Sequence, residues 1–285
     1  MNKVKIIVDS TCDLGLDLLK KYDIDFLPLS VNFDEDSYKD LIDITVEELY
    51  SEVEKRGMLP KTAAVTIPEI MDCFKKYIDM GYDIVYTGIS KQMSRSYENA
   101  VMVANEIAPE RIFVVDSMNL STGVGILALK ACIDRDNGLS ASEIAKRMEA
   151  NRELVLTQFA IEQMDYLYKG GRCSSIQALL GSLVKLKPII GVRNGKMSVI
   201  RKPIGKMKKA LDEMVKQILK DKDNLDPEFV LITHSMADES CAYLHEVLSR
   251  ELPDVNLMET RAGCVISSHC GRGTIGILYM LKEKK

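Results

Sequence analysis

Hydrophobic positions follow two rhythms in the first half of the chain. Short β-branched runs predict strands at Lys5–Asp9, Asp83–Ile89 and Arg111–Ser117. Between them, Leu14, Leu18, Leu19 and Tyr22 recur at helical spacing over Asp13–Tyr22, while strict alternation over Ile24–Asp34 predicts one extended strand. Thr45 with Glu48, Thr66 with Glu69 and Ser140 with Glu143 have the three-residue spacing of a capping box and predict three helix starts. Strands alternating with amphipathic helices specify a mostly parallel sheet flanked by helices.

The rhythm changes near residue 155. Val155–Glu162 reads as a strand, Ser175–Leu186 as a helix, and Pro188–Ile200 as a hairpin turning at Asn194-Gly195. Further on, Lys206–Leu219 and Glu239–Arg250 read as helices, and Phe229–His234, Asn256–Thr260, Cys264–Ser268 and Thr274–Leu281 as strands. The expectation is an α/β chain of two lobes, an N-terminal α/β lobe over 1–155 and a C-terminal α+β lobe with a mixed sheet over 156–285. Without repeats or a Gly/Ser linker, the lobes are expected to pack closely enough to share a cleft.

Composition narrows the function. At 46% hydrophobic and 28% charged the chain is globular, and a net charge of −4 leaves no basic surplus for nucleic acid. No apolar run approaches the roughly 18 residues of a membrane span, and the start lacks a signal-peptide core, so the expectation is a cytoplasmic protein without stable membrane insertion. Seven scattered cysteines predict reduced, packed thiols rather than a disulfide framework.

Several motifs point to little. Gly271-Arg-Gly273-Thr-Ile-Gly276 lies too near the end of the sequence for a βαβ unit, and Gly123-Val-Gly125-Ile-Leu-Ala128 sits inside a helical pattern, so neither predicts a dinucleotide cofactor. Asp9-Ser-Thr-Cys-Asp13 lacks the spacing of an aspartyl phosphatase, leaving Asp9 and Ser10 as a polar strand end and Asp13 as a helix starter. His234, His245 and His269 lack metal-ligand spacing, so no metal is expected.

Four segments carry more chemistry. They are Pro60-Lys-Thr62, Ser94-Arg-Ser96-Tyr97, Gly170-Gly171-Arg172 and the stretch from Gly263 through His269-Cys-Gly271-Arg-Gly273. Each sets hydroxyl or cationic groups beside glycines or at the mouth of a helix; Ser94 can cap the helix after it or receive an anion.

In this order, together with Val8-Asp9-Ser10-Thr11, Pro28-Leu29, Asp116-Ser117, Gly181 and Lys187-Pro188-Ile189, the segments resemble the DegV family of bacterial fatty-acid-binding proteins across nearly the whole chain. The family includes the binding subunits of fatty acid kinase. The resemblance implies a non-catalytic carrier that holds a long-chain fatty acid such as palmitate in an apolar tunnel and needs no cofactor. Thr62 and Ser94 would bond the carboxylate, with Arg172 and a protonated His269 in the same polar end. A fatty acid kinase catalytic subunit is the implied partner, and phospholipid synthesis the implied use of the acyl phosphate.

The chain departs from the family pattern at Ala63-Ala64-Val65-Thr66, at Arg95 and at Arg272, and a kinase-docking arginine has no match around Pro203-Ile204-Gly205. The two arginines predict added positive charge near the mouth. The alternatives are a lipid-responsive regulator, or a hydrolase or transferase using Ser94 or Ser96 with His269 as base; no nucleophile-elbow string supports the catalytic reading.

Overall fold

The computed structural model describes residues 2–181 and 185–284. Strand β1 (Lys3–Asp9) leads through a 3-10 turn to α1 (Gly15–Lys21), β2 (Ile24–Leu27), β3 (Ser30–Phe33) and β4 (Asp36–Lys39). Helix α2 (Val46–Arg56), β5 (Lys61–Ala63), α3 (Ile67–Asp79), β6 (Tyr82–Gly88), α4 (Ser96–Ile107), β7 (Ile112–Asp116), α5 (Thr122–Asp136) and α6 (Ala141–Asn151) complete the first half. The second half runs β8 (Val155–Ala160), α7 (Met164–Gly170), β9 (Ile189–Arg193), β10 (Lys196–Arg201), α8 (Met207–Lys220), β11 (Leu225–Ser235), α9 (Asp238–Glu251), β12 (Leu257–Arg261), α10 (Cys264–Cys270) and β13 (Thr274–Leu281).

Strands β2-β1-β6-β7 form an all-parallel sheet. Six of the seven β1 residues are buried, as expected of an inner strand covered on both faces. Strands β10-β9-β8-β13-β11-β12 form a mixed sheet in which only β11 and β12 run parallel. The three capping boxes form at Thr45, Thr66 and Ser140, each hydroxyl and its Glu closing the first turn. The hairpin turns at Asn194 (φ 50°) and Gly195 (φ 75°), the left-handed pair that matches strand twist.

Three expectations are corrected. Ile24–Asp34 is two strands in two sheets: Pro28 has no N–H to give a ladder, and Leu29 donates its own to Ser10 Oγ at 3.1 Å. The chain then turns into the small antiparallel sheet β4-β3-β5, which the sequence pattern does not announce. Ser175–Leu186 holds only a 3-10 stretch over Ser174–Leu179, and residues 182–184 of that prediction lie outside the described residues.

The third correction matters most for the site, because Cys264–Ser268 is helix α10, not a strand. Every residue in that run is buried, so no apolar stripe marks its period. Its start is set by carboxylates distant in sequence. Asp13 Oδ1 accepts the Gly263 N–H at 2.8 Å and Asp40 Oδ1 the Cys264 N–H at 2.7 Å. Asp13 therefore does not begin α1, whose N-cap has no side-chain bond. Cys264 and Val265 join Ile7, Phe33 and Leu49 in one core cluster, so a C-terminal helix docks into the N-terminal part of the molecule.

Candidate functional site

A cavity of about 500 Å³ opens where β5, the β6–α4 loop, the end of α7, β10 and α10 converge. All four predicted residues, Thr62, Ser94, Arg172 and His269, line it. Leu29, Ile89, Met93, Leu120, Met197 and Ile266 make much of the remaining wall.

Thr62 is placed by β5, opposite Val31 of β3. Its hydroxyl meets His269 Nε2 at 2.8 Å across 207 positions of sequence. Ser94 lies in a loop fixed from two sides: Ile89 N–H donates to Asp9 Oδ2 (3.0 Å) and Lys91 N–H to Asp116 Oδ1 (3.3 Å). Ser94 Oγ accepts the Ser96 N–H at 3.3 Å in the turn just before α4, whose N-cap is Arg95 without a side-chain bond, so Ser94 faces the cavity without capping the helix. Asn99 on α4 holds the Val65 carbonyl at 2.8 Å and steadies the loop after Thr62. Arg172 is exposed at the rim beyond the left-handed Gly171 and donates to the Gly170 carbonyl.

His269 is neutral rather than protonated, correcting the charge expected of it. Burial, with the Arg172 guanidinium nearby as the smaller cause, pushes its pKa down to about 4. Its Nδ1 is buried without a partner and abuts Gly170, where no Cβ fits. A neutral ring that donates through Nε2 to Thr62 Oγ leaves the threonine O–H free to donate onward into the cavity. An unfolded histidine takes up its proton near pH 6.5, so this group's stability contribution is complete above that pH and is lost as pH falls toward 4. Wild type is therefore expected to lose about 2 kcal/mol more than His269→Gln between pH 7 and 5, read from urea midpoints; parallel losses would contradict it.

Among the described residues lining the cavity, the charged side chains are Lys91, Arg95 and Arg172, all cationic. Arg95 stands where positive charge was expected, whereas Arg272 is exposed and outside the lining. Carboxylates lie behind the wall: burial pushes Asp9 and Asp40 up to about 6 and raises Asp13 as well. The serine-nucleophile arrangement is not assembled, since His269 Nε2 pairs with Thr62 and its Nδ1 has no orienting carboxylate.

His234, Cys241 and Glu259 bring ligand atoms within 4.8 Å of one another, a grouping that sequence spacing missed. His234 Nδ1 accepts the Ala237 N–H at 3.1 Å, which puts the neutral ring's proton on Nε2, 3.4 Å from Glu259. A metal-ligating histidine needs its lone pair there and its N–H on the other nitrogen. The cluster therefore does not present a metal-ligating histidine, and His234 Nε2 is buried without a hydrogen-bond partner.

An α/β frame with an open cavity of mixed apolar and polar lining, in which hydroxyls and cations gather, suits the binding of a small amphipathic ligand. The chain belongs to the DegV family, whose model, described as that of an uncharacterised protein, matches residues 3–282. A DegV domain-containing protein of Clostridium acetobutylicum is 34% identical over 282 residues, covering 99% of this chain and all of the relative. A Thermus thermophilus structure described as fatty acid binding of a DegV family protein superposes with a TM-score of 0.90 at 28% identity, over 99% of this chain and all of that one. A stearic acid-binding protein from Eubacterium ventriosum gives a TM-score of 0.86 at 27% identity, over 99% of each chain.

Proposed function

We propose that this protein holds one long-chain fatty acid, palmitate or a close relative, and presents its carboxylate to the catalytic subunit of a fatty acid kinase. The observation that carries the reading is the pairing of Thr62 with His269 beside Ser94 in a cavity that also has an apolar wall and whose charged lining residues are all cations. Fatty acid binding by the Thermus and Eubacterium relatives supports it.

In this reading Thr62 and Ser94 donate hydrogen bonds to the carboxylate, His269 orients Thr62, and Arg172 adds charge at the rim. The cavity lies between lobes spanning 1–155 and 156–285, and the carrier works in the cytoplasm, where free fatty acids and ATP meet. Among the described residues no helix is long and apolar enough to cross a membrane. The tail supplies most of the affinity: at about 0.8 kcal/mol per buried methylene, a palmitoyl chain offers on the order of 10 kcal/mol before entropic losses. The head-group residues then fix which end faces out. The protein performs no chemistry itself; the kinase transfers the phosphoryl group.

Incubating the palmitate-loaded protein with a fatty acid kinase catalytic subunit and ATP tests this. Acyl phosphate, trapped as the hydroxamate, is the expected product. Palmitate bound stoichiometrically but never phosphorylated, with a kinase active on its own carrier, would overturn the presentation role and leave a carrier or lipid-responsive regulator.

A further inference from the structure

Two exposed apolar patches outside the cavity lie toward opposite edges of the six-stranded sheet. The first is a surface groove of about 420 Å³ between α1, the turn after β4 and the β12–α10 connection. Leu18, Leu41 and Ile44 line it with Leu16, which is 54% exposed, and Ile42, next to Leu41, is 61% exposed. The turn that carries Ile42 is tied down. The Ile42 and Asp43 N–H groups both donate to the Lys39 carbonyl, the Asp43 carboxylate accepts the Lys39 N–H, and Leu41 is held left-handed (φ 66°). The surroundings are acidic: Asp17 and Glu259 line the groove, and Arg261, the cation among its described lining residues, is spent on Glu47 and Asp238.

The second patch is basic. Beyond β10, Leu186 and Ile204 pair as a short antiparallel bridge, with the Lys187 N–H on the Pro203 carbonyl (2.9 Å) and the Gly205 N–H on the Lys185 carbonyl (2.8 Å). Ile204 is 53% exposed on this pair and flanked by exposed Lys185, Lys202 and Lys206. Lys187 and Lys208 nearby are tied to Glu162 and Asp212, whereas these three pair with no carboxylate among the described residues. An isoleucine among unpaired lysines thus complements a leucine-isoleucine groove among carboxylates, in apolar surface and in sign of charge. The two patches do not meet within one chain. They adjoin β10 and β12, the outermost strands, five intervals apart or on the order of 24 Å at about 4.8 Å each.

We infer that the groove takes the Ile204 tip of a second copy of this chain in a head-to-tail contact. Each copy offers both halves, so the contact is heterologous and repeats, building a chain or a ring rather than a two-fold dimer. The patches are small, which makes the association weak and dependent on concentration. Gly263 and Cys264, the N-cap and first residue of the helix that carries His269, form part of the groove, so a docked copy rests on the start of α10. The contact does not depend on the fatty acid reading.

Sedimentation of the full chain, from low micromolar to near-millimolar concentration, tests this. The average mass is expected to climb past that of a dimer at low salt and to fall back as salt screens the lysine-carboxylate attraction. Leu16→Lys spoils the groove and Ile204→Asp spoils the tip, each with a charge that the opposite patch repels, and each alone is expected to weaken association about tenfold or more. Mixed in equal amounts, the two variants keep one intact groove and one intact tip and are expected to form a one-to-one dimer that grows no further. Thermal melts establish folding, with Ile42→Lys and Lys202→Glu standing in for a variant that does not fold. A wild type that stays monomeric throughout would overturn the inference and leave the groove to a different partner. Association untouched by either substitution, or a mixture that stays monomeric, would overturn it as well.

Discussion

Asp40→Ala is expected to cost about 3 kcal/mol of stability and to abolish ligand binding under conditions where wild type binds. Asp40 is fully buried and joins three segments far apart in sequence: it accepts the Cys264 N–H at 2.7 Å and the Ser10 hydroxyl at 2.9 Å, and Gly263 packs against it. Alanine leaves two buried donors unpaired, each costing about 1–3 kcal/mol. Part of that loss is offset, because burial already makes the ionised carboxylate costly and holds its pKa near 6. The consequence for binding follows from what α10 carries: with its first turn released, His269 no longer meets Thr62 and Ile266 no longer walls the cavity. Asp40→Asn keeps an acceptor for Cys264 and is expected to stay within about 1 kcal/mol of wild type. Urea denaturation of the three proteins at pH 7 measures this. An alanine variant as stable as wild type would show that Asp13, which accepts the neighbouring Gly263 N–H, holds the helix alone.

Replacing both Thr62 and Ser94 with alanine is the larger functional prediction. Neither side chain supports the core: Thr62 lies on a three-residue strand, and both residues are only partly buried. Loss of stability is expected to be about 1–3 kcal/mol, mostly from the buried His269 Nε2 left without its Thr62 partner. Palmitate binding persists, because the tail supplies the affinity, but weakens ten- to a hundredfold, since hydrogen bonds to a charged group contribute about 1.5–3 kcal/mol each and water at the open end recovers part. Acyl phosphate formation falls much further, the carboxylate no longer being held in one orientation. Kinase turnover with the variant saturated by palmitate separates the two effects. Turnover equal to wild type would remove Thr62 and Ser94 from the head-group site.

Much of this architecture was legible in local pattern. The parallel strands, the capping-box helices and the Asn194-Gly195 hairpin are written in residues close together in sequence, and the structure has them. The site was legible in a different way. Thr62, Ser94, Arg172 and His269 were singled out by their resemblance to a family, and the structure brings all four to one cavity.

What was not legible depends on long-range contacts. Helix α10 looked like a strand because burial on all sides erases the helical period and because its capping carboxylates, Asp13 and Asp40, stand 250 and 224 positions away. The charge of His269 was misread for the same reason: its burial comes from segments that the local sequence does not contain. Leu120 and Met197 gave no local sign of facing a cavity, since apolar residues at element ends look alike whether they meet a core or a ligand. Ile266 carried none either, lying within a run buried throughout.

The central claim is that the cavity holds a fatty acid, and mass spectrometry of the purified protein, native and after organic extraction, tests it most directly. The account predicts one long-chain fatty acid per chain in the native spectrum, identified in the extract and reduced in the Thr62→Ala, Ser94→Ala double variant. A protein that arrives empty and takes up no added fatty acid would contradict it.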